Sequence, residues 1–231
     1  MKINRFKTSA IIVAGGVGNR MNSDIPKQFL EVLGKPVIAY TINAISKCKD
    51  IDEIVLVTLP DYIVFCKDIV DEFQFSKVSK IVCGGATRQE SVYNGLREMS
   101  EDTDVVVIHD GARPLIEPDV IRESVLSALE FGCAAVGVKM KDTIKVVDAD
   151  GYIVSTADRE KLWQVQTPQT FRKEIIKSLY EDASNSSKQF TDDCMLAESV
   201  GYRVKMIEGS YENIKITTPQ DIFIMKGLLG E

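Results

Sequence analysis

Runs of consecutive apolar, largely β-branched residues alternate along this chain with stretches whose apolar positions recur at helical spacing. The runs are typical of strands buried on both faces, and the spaced stretches are typical of amphipathic helices. Strands are predicted at 8–13, 54–58, 78–83, 105–109, 133–138 and 203–208. Helices are predicted at 36–46, 61–72, 87–99, 118–131, 173–182, 192–200 and 219–229. This alternation predicts an α/β fold, with a Rossmann-like, doubly wound and mostly parallel sheet.

The segment around residue 150 departs from this rhythm. Residues 143–147 and 152–156 alternate apolar and polar positions, and Asp-Ala-Asp-Gly stands between them as a turn. The pattern predicts a two-stranded hairpin rather than another strand–helix unit. We expect a projecting β-hairpin arm over about 139–170, inserted in a single domain that spans 1–231.

Composition and charge narrow the classes of function. Of 231 residues, 45% are hydrophobic and 27% are charged, as in ordinary globular domains. The net charge of −6 gives no reason to expect nucleic acid or a membrane as partner, so an anionic substrate needs a local group of Lys and Arg. No apolar run reaches the length of a membrane span, and the five cysteines are scattered without a CxxC pair. We therefore expect a cytoplasmic protein with reduced thiols.

A glycine-rich loop, AGGVGNRM at 14–21, follows the first predicted strand. Glycines let backbone N–H groups approach phosphate oxygens, and Arg20 can add a guanidinium contact. Lys27 follows Pro26 within reach of this loop. A tight turn would also need glycines and an isolated lysine is usually solvated, so each feature alone is a weak signal. Together they favour a triphosphate site, although the loop is neither a Walker A motif nor a complete dinucleotide fingerprint.

Two further segments stand where a doubly wound sheet binds ligands, at the carboxyl ends of predicted strands. GGATRQES at 84–91 can admit a flat base, or can simply be a turn followed by a helix cap at Thr87. HDGARP at 109–114 places Asp110 where a carboxylate beside a triphosphate suits Mg²⁺, or where it caps a turn. His109, the only histidine, is interpreted as a hydrogen-bonded core residue without a catalytic role.

Several motifs, in this order, resemble the 2-C-methyl-D-erythritol 4-phosphate cytidylyltransferase family of the non-mevalonate isoprenoid pathway. They are AGGVGNRM with PKQFL, GGATRQESV, HDGARP, ADREKLWQVQTPQTF, TDD and EGSYENIKITTPQD, and the likeness covers nearly the whole chain. The resemblance implies a nucleotidyltransferase fold. It also implies CTP and a small polyol phosphate as substrates, magnesium as cofactor, and a homodimer formed through the arms.

The resemblance also implies roles for individual residues, position by position. Those around the triphosphate and the reacting α-phosphate would be Ala14, Gly15, Gly16, Gly18, Arg20, Lys27 and Lys215, with Asp110 beside magnesium. Those around the cytosine would be Gly85, Ala86 and Ser91. Those near the polyol phosphate would be Arg113, Thr143, Thr167 and Thr191, with Arg159 contributed by the arm of the partner subunit. The implied reaction is in-line attack of a substrate phosphate oxygen on the α-phosphorus of CTP, which needs no strong general base.

The sequence departs from the family's motifs at two positions, and these departures leave other functions possible. The loop reads Ala-Gly-Gly, as in the related ribitol-5-phosphate cytidylyltransferases, where many methylerythritol enzymes have Ala-Ala-Gly. Ala86 stands where some relatives carry an acidic residue, so cytosine recognition there would rely on backbone groups. The rival functions are ribitol-5-phosphate cytidylyl transfer and a non-catalytic nucleotide-binding subunit on the same fold. An NAD-dependent dehydrogenase is disfavoured, because Val57-Thr58-Leu59-Pro60 ends the second strand without an acidic residue for the ribose.

Overall fold

The computed structural model of the chain describes residues 6–16, 25–184 and 190–230. Eleven strands occur in these ranges: β1 (Thr8–Ala14), β2 (Glu31–Val32), β3 (Lys35–Pro36), β4 (Glu53–Thr58), β5 (Val78–Cys83), β6 (Val105–Asp110), β7 (Cys133–Lys139), β8 (Lys145–Val147), β9 (Ile153–Thr156), β10 (Trp163–Arg172) and β11 (Lys205–Glu208). The α-helices there are α1 (Val37–Lys47), α2 (Ile63–Glu72), α3 (Arg88–Glu98), α4 (Pro118–Phe131), α5 (Lys173–Ser184), α6 (Asp193–Ser199) and α7 (Pro219–Leu228). Gly18 and Arg20 lie outside the described residues.

The central sheet has seven strands in the order β11-β7-β10-β6-β1-β4-β5. Strand β1 pairs in parallel with β4 and β6, β4 pairs in parallel with β5, and β11 pairs in parallel with β7. Only β10 runs antiparallel to its neighbours in this sheet, β6 and β7. The predicted α/β class and mostly parallel sheet are therefore confirmed.

Helices cover both faces of the sheet. Successive side chains of a strand point to opposite faces, and in the central strands the side chains on both faces are apolar, so each face is buried by helices. Ile12 lies in an apolar cluster that includes residues of α1, α2 and α4. Its neighbour Ile11 lies in a second cluster with residues of α3, α5 and α6. Helix α3 comes so close to the sheet that a Cβ on Gly95 would lie 2.6 Å from the Ile11 Cγ2 atom. The core therefore fixes the carboxyl ends of β1, β5 and β6, where the segments that line the site begin.

Strand β10 was not predicted from the sequence. Its sequence, WQVQTPQTFR, has few apolar residues and contains Pro168, which argues against a central strand. The structure accommodates Pro168 where the pairing register with β7 shifts, between Val165 and Gln169. The buried polar side chains of β10 have partners: Gln166 donates to the Ser210 carbonyl and Thr170 pairs with the Ser124 hydroxyl. The predicted arm ran to residue 170, whereas residues from 163 onward lie in the sheet.

Strands β8 and β9 form the predicted hairpin between β7 and β10, apart from the main sheet. The Asp148 carboxylate accepts the backbone N–H groups of Asp150 and Tyr152, and Gly151 takes a φ of +86°, which closes the turn. Every residue of β8 and β9 is exposed. In the described part of the chain, no helix is long and apolar enough to cross a membrane.

Candidate active site

A cavity of about 450 Å³ opens at the carboxyl ends of β1, β4, β5 and β6. Its lining residues are Val13, Ala14, Gly15, Gly16, Lys27, Gln28, Leu59, Gly85, Ala86, Thr87, Arg88, Ser91, Asp110, Ala112 and Lys215. The list contains every described residue that the sequence predicts as catalytic or nucleotide-binding. These predicted residues come from five separate parts of the sequence, so the fold brings the predicted motifs together at the edge expected for this type of sheet.

The described start of the glycine-rich loop is held by a side chain to which the sequence analysis gave no role. Gln28 is buried, and its amide nitrogen donates to the carbonyl oxygens of Ala14 at 2.6 Å and Gly16 at 2.9 Å. Gln28 belongs to the short 3-10 helix Lys27–Phe29. The same turn therefore places Lys27 in the cavity and fixes the backbone of Ala14 and Gly16, which line the same cavity.

The loop after β5 is closed by hydrogen bonds to helix α3. Thr87 caps α3 by accepting the Glu90 N–H, as one of the two sequence interpretations expects. The Ser91 hydroxyl donates to the Thr87 carbonyl and accepts the Gly85 N–H. The Glu90 carboxylate accepts the Ala86 N–H at 2.7 Å. A Cβ on Gly85 would lie 2.3 Å from the Glu90 Cβ, so this closure requires glycine.

Asp110 ends β6 among three cationic side chains. Its carboxylate lies 2.7 Å from the Lys215 Nζ, 3.5 Å from the Arg88 Nε and 3.8 Å from the Arg113 Nε. Burial alone would raise the pKa of Asp110, but Lys215, Arg88 and Arg113 outweigh it and hold the pKa below its usual range. The carboxylate is therefore ionised at neutral pH, and the cavity wall carries a surplus of positive charge beside it.

His109 lies beneath Asp110 and is fully buried. Its Nε2 is 3.0 Å from the Arg113 carbonyl oxygen, which can only accept, so Nε2 carries the proton. Nδ1 then accepts from the Thr167 hydroxyl, whose oxygen accepts the Asp110 N–H. Burial lowers the pKa of His109 to about 4, so the ring is neutral at pH 7. The interpretation of His109 as a hydrogen-bonded core residue is confirmed.

The residues predicted near the polyol phosphate are more dispersed. Arg113 lies against Asp110 and donates to the Asn213 carbonyl, and Thr167 is buried in the His109 contact. Thr191 is exposed immediately before the cap of α6. Thr143 and Arg159 are exposed near the two ends of the hairpin, where an Arg159 N–H donates to the Lys141 carbonyl. None of these five lines the cavity, and their contacts with substrate stay predictions.

Arg88 is a second residue that sequence reasoning passed over. It appears in the sequence only as one letter of the GGATRQES motif, yet its guanidinium lies between Asp110 and Asp193, which is 105 positions further along the chain. A single sequence carries no signal for a pairing across that separation. The placement of Arg88 between these two carboxylates could therefore be identified only from the folded structure.

Known proteins were compared with this chain in sequence and in structure. The profile of the 2-C-methyl-D-erythritol 4-phosphate cytidylyltransferase family matches residues 8–231. A 2-C-methyl-D-erythritol 4-phosphate cytidylyltransferase of Clostridium botulinum is 50% identical over 223 residues, covering 96% of this chain and 97% of the relative. That of Caldanaerobacter subterraneus is 46% identical and covers 95% and 97%.

Among solved structures, the 4-diphosphocytidyl-2C-methyl-D-erythritol synthase of Anaerococcus prevotii superposes with a TM-score of 0.88. It is 34% identical, and the match covers 99% of this chain and 98% of that one. The Thermus thermophilus 2-C-methyl-D-erythritol 4-phosphate cytidylyltransferase gives a TM-score of 0.76 at 27% identity, covering 96% and 98%. The chain belongs to the 2-C-methyl-D-erythritol 4-phosphate cytidylyltransferase family.

Proposed function

We propose that this protein transfers a cytidylyl group from CTP to 2-C-methyl-D-erythritol 4-phosphate and releases pyrophosphate. The products are 4-diphosphocytidyl-2-C-methyl-D-erythritol and pyrophosphate. One observation carries the proposal beyond family membership. The glycine loop, the Gly85 loop, two lysines and an ionised carboxylate all line one cavity of suitable size for a nucleotide.

The nucleotide occupies this cavity in the proposal. Backbone groups of Ala14, Gly15 and Gly16 face the triphosphate, with Gly18 and Arg20 completing the loop. Gly85, Ala86 and Ser91 surround the cytosine. The Ala86 N–H already binds Glu90, so recognition of the base there relies on other backbone groups of this loop.

Magnesium fits the donor set at Asp110. Mg²⁺ in nucleotide sites takes one or two carboxylates and completes its coordination with phosphate oxygens and water. Asp110 supplies one ionised carboxylate in the cavity, and the described residues contain no cluster of three acidic, His or Cys side chains that would form an all-protein cage. Magnesium bound to Asp110 and the phosphates would offset the charge of the triphosphate.

The chemical step needs a stabilised phosphate rather than a general base. An oxygen of the acceptor phosphate forms a bond to the α-phosphorus, and the bond from that phosphorus to the bridging oxygen breaks, so pyrophosphate leaves with the electron pair. Lys27, Lys215 and Arg20 offset the charge that develops on the phosphate oxygens. The attacking oxygen is already anionic, and the neutral, buried His109 takes no part.

The acceptor binds beside the nucleotide, near Arg113, Thr143, Thr167 and Thr191, with Arg159 contributed by a partner subunit. The arm supports such a homodimer, because it carries several exposed apolar side chains. The exposed apolar residues are Val146, Val147, Tyr152, Ile153 and Val154. A concentration of exposed apolar side chains on one projecting element favours an interface with another protein. Sedimentation at micromolar concentration is expected to give a dimer, and a monomer would contradict this part of the proposal.

Pyrophosphate release tests the activity. The protein is incubated with CTP and magnesium, and with 2-C-methyl-D-erythritol 4-phosphate or D-ribitol 5-phosphate as acceptor. We expect turnover with the first and little with the second. Preference for ribitol phosphate would assign the other cytidylyltransferase activity. CTP binding without turnover on either acceptor would indicate a nucleotide-binding subunit instead.

A further inference from the structure

The guanidinium group of Arg88 joins two carboxylates that belong to different parts of the site. Arg88 is the first residue of α3, directly after the loop that faces the cavity. Its Nη1 and Nη2 lie 3.1 and 2.8 Å from the two oxygens of Asp193, a bidentate pair. Its Nε lies 3.5 Å from Asp110, whose nearer partner is Lys215 at 2.7 Å. Arg88 therefore binds Asp193 more tightly than it binds Asp110.

Asp193 is fully buried, so it depends on these partners. The Tyr180 hydroxyl donates to the same carboxylate. The Gln169 side-chain oxygen accepts the backbone N–H groups of Asp193 and Cys194, at 2.9 and 3.1 Å. An unpaired carboxylate at such a position is strongly unfavourable, so Asp193 stays where Arg88 and Tyr180 hold it. Burial alone would lower the pKa of Arg88, but Asp193 and Asp110 raise it, so the guanidinium group stays charged.

The segment that Asp193 anchors carries a residue proposed to contact the acceptor. Asp193 opens α6, and Asp192 caps that helix by accepting the Met195 N–H at 2.7 Å. Gln169 also donates to Asp192, at 3.1 Å. Thr191 immediately precedes this cap and is exposed. The Arg88–Asp193 pair is thus a direct side-chain link between the wall of the nucleotide cavity and the Thr191 segment.

We propose that Arg88 is a positioning residue. Through Asp193 it holds Thr191 and the start of α6 in a fixed position relative to the nucleotide cavity. The inference rests on the proposed function and adds to it a determinant of acceptor binding. Loss of the pair displaces the acceptor contact, while Asp110 keeps its Lys215 partner. The acceptor KM therefore rises much more than the CTP KM.

Steady-state kinetics with each substrate varied in turn tests this. In Asp193→Asn we expect the acceptor KM to rise roughly 10- to 100-fold, as for loss of one partner of a buried charge pair, with the CTP KM within about 3-fold of wild type. Arg88→Lys should raise the acceptor KM by a similar factor, but because Arg88 lines the nucleotide cavity the comparison of the two KM values is made on Asp193→Asn. The double variant should cost little more than the larger single change, because both remove one interaction. Lys80→Ala, which breaks the exposed ion pair with Glu98 at the other end of α3, is the matched control and should change neither KM.

Two further variants separate positioning from a general loss of structure. Tyr180→Phe removes only the hydroxyl that supports Asp193, and should give a smaller rise in the acceptor KM. Millimolar guanidinium should restore acceptor binding to Arg88→Ala, whereas the same concentration of sodium should not. Equal rises in both KM values, or an unchanged acceptor KM in Asp193→Asn, would overturn the inference while leaving the proposed function intact. Absence of wild-type turnover on 2-C-methyl-D-erythritol 4-phosphate would overturn the function and, with it, the inference.

Discussion

Two buried carboxylates lie at opposite ends of the central sheet, and their partners differ. Glu53 is the first residue of β4 and Asp110 is the last of β6, and each is only 7% exposed. Glu53 accepts from neutral groups: the Ser9 hydroxyl at 2.8 Å, the Ser79 hydroxyl at 2.7 Å and the Ser100 N–H at 3.1 Å. Asp110 instead lies among Lys215, Arg88 and Arg113.

The difference distinguishes a carboxylate held by structural hydrogen bonds from the carboxylate that is proposed to act in the site. Burial would raise the pKa of each, and each pKa is nevertheless lowered, by hydrogen bonds at Glu53 and by cations at Asp110. The donors to Glu53 are neutral groups on two strands, β1 and β5, and on the loop after α3. The cations around Asp110 instead lie at the edge of the sheet where the phosphates are proposed to bind.

The largest expected effect comes from the cavity lysines. Lys27→Ala and Lys215→Ala should each lower turnover roughly 100- to 1000-fold, as loss of one preorganised contact to the transition state typically does. Circular dichroism and thermal melting should show a folded protein, since both side chains face the cavity. Losses below a few-fold would remove these lysines from the proposed mechanism.

Glu53→Gln is the matching change at the other end of the sheet. It keeps the size of the side chain but replaces an acceptor-only carboxylate with an amide, so one buried donor loses its partner or meets another donor. Urea unfolding at pH 7 should show a loss of about 1–3 kcal/mol in the free energy of unfolding. Turnover per folded molecule should stay within about 2-fold of wild type, because Glu53 and its serine partners do not line the cavity, which lies at the opposite end of β4. A large loss of turnover without loss of stability would break the contrast.

The pH dependence of stability gives a second test of how Glu53 stabilises the folded protein. The pKa of Glu53 is lower in the folded state than the roughly 4.3 of an unperturbed Glu, so its stabilisation is present above that pH and is lost as pH falls through the folded value. The stability difference between wild type and Glu53→Gln should therefore shrink below about pH 4. Urea unfolding at several pH values measures it, and a difference that stays constant or grows on acidification would contradict the assignment.

The smallest expected effect of these substitutions is at an exposed ion pair. Lys80 and Glu98 lie 3.0 Å apart, and the side chains are 48% and 46% exposed. Solvent screening leaves such a pair worth about 0–1 kcal/mol, so Lys80→Ala should change the free energy of unfolding by less than Glu53→Gln does. An equal or larger loss would mean that burial does not explain the Glu53 effect.

The strands of the central sheet also differ in how well the sequence predicts them. Strands β1, β4, β5 and β6 are predicted from their apolar residues, and Gly or Asp motifs follow β1, β5 and β6, so the pattern predicts these strands and three of the loops beside the cavity. Strand β10 could not be found in this way, because its buried Gln and Thr side chains are satisfied only by distant partners such as Ser124 and Ser210. Its antiparallel direction depends on the arm that precedes it.

The same limit applies to the site. The predicted nucleotide residues stand beside strand ends, and local pattern is sufficient to place them. Gln28, Arg88 and Asp193 act through contacts between segments that are far apart in the sequence, up to 105 positions for Arg88 and Asp193. Such contacts depend on the packing of α3, α6 and β10, which the spacing of residues in one sequence does not encode.

The most direct test of the central claim is pyrophosphate release by Asp110→Asn from CTP, magnesium and 2-C-methyl-D-erythritol 4-phosphate, beside wild type. The substitution is nearly isosteric, and Arg88 keeps its bidentate contact with Asp193, so the variant should remain folded. If Asp110 is the functional carboxylate, turnover should fall roughly 100-fold or more. Turnover within a few-fold of wild type would contradict the account.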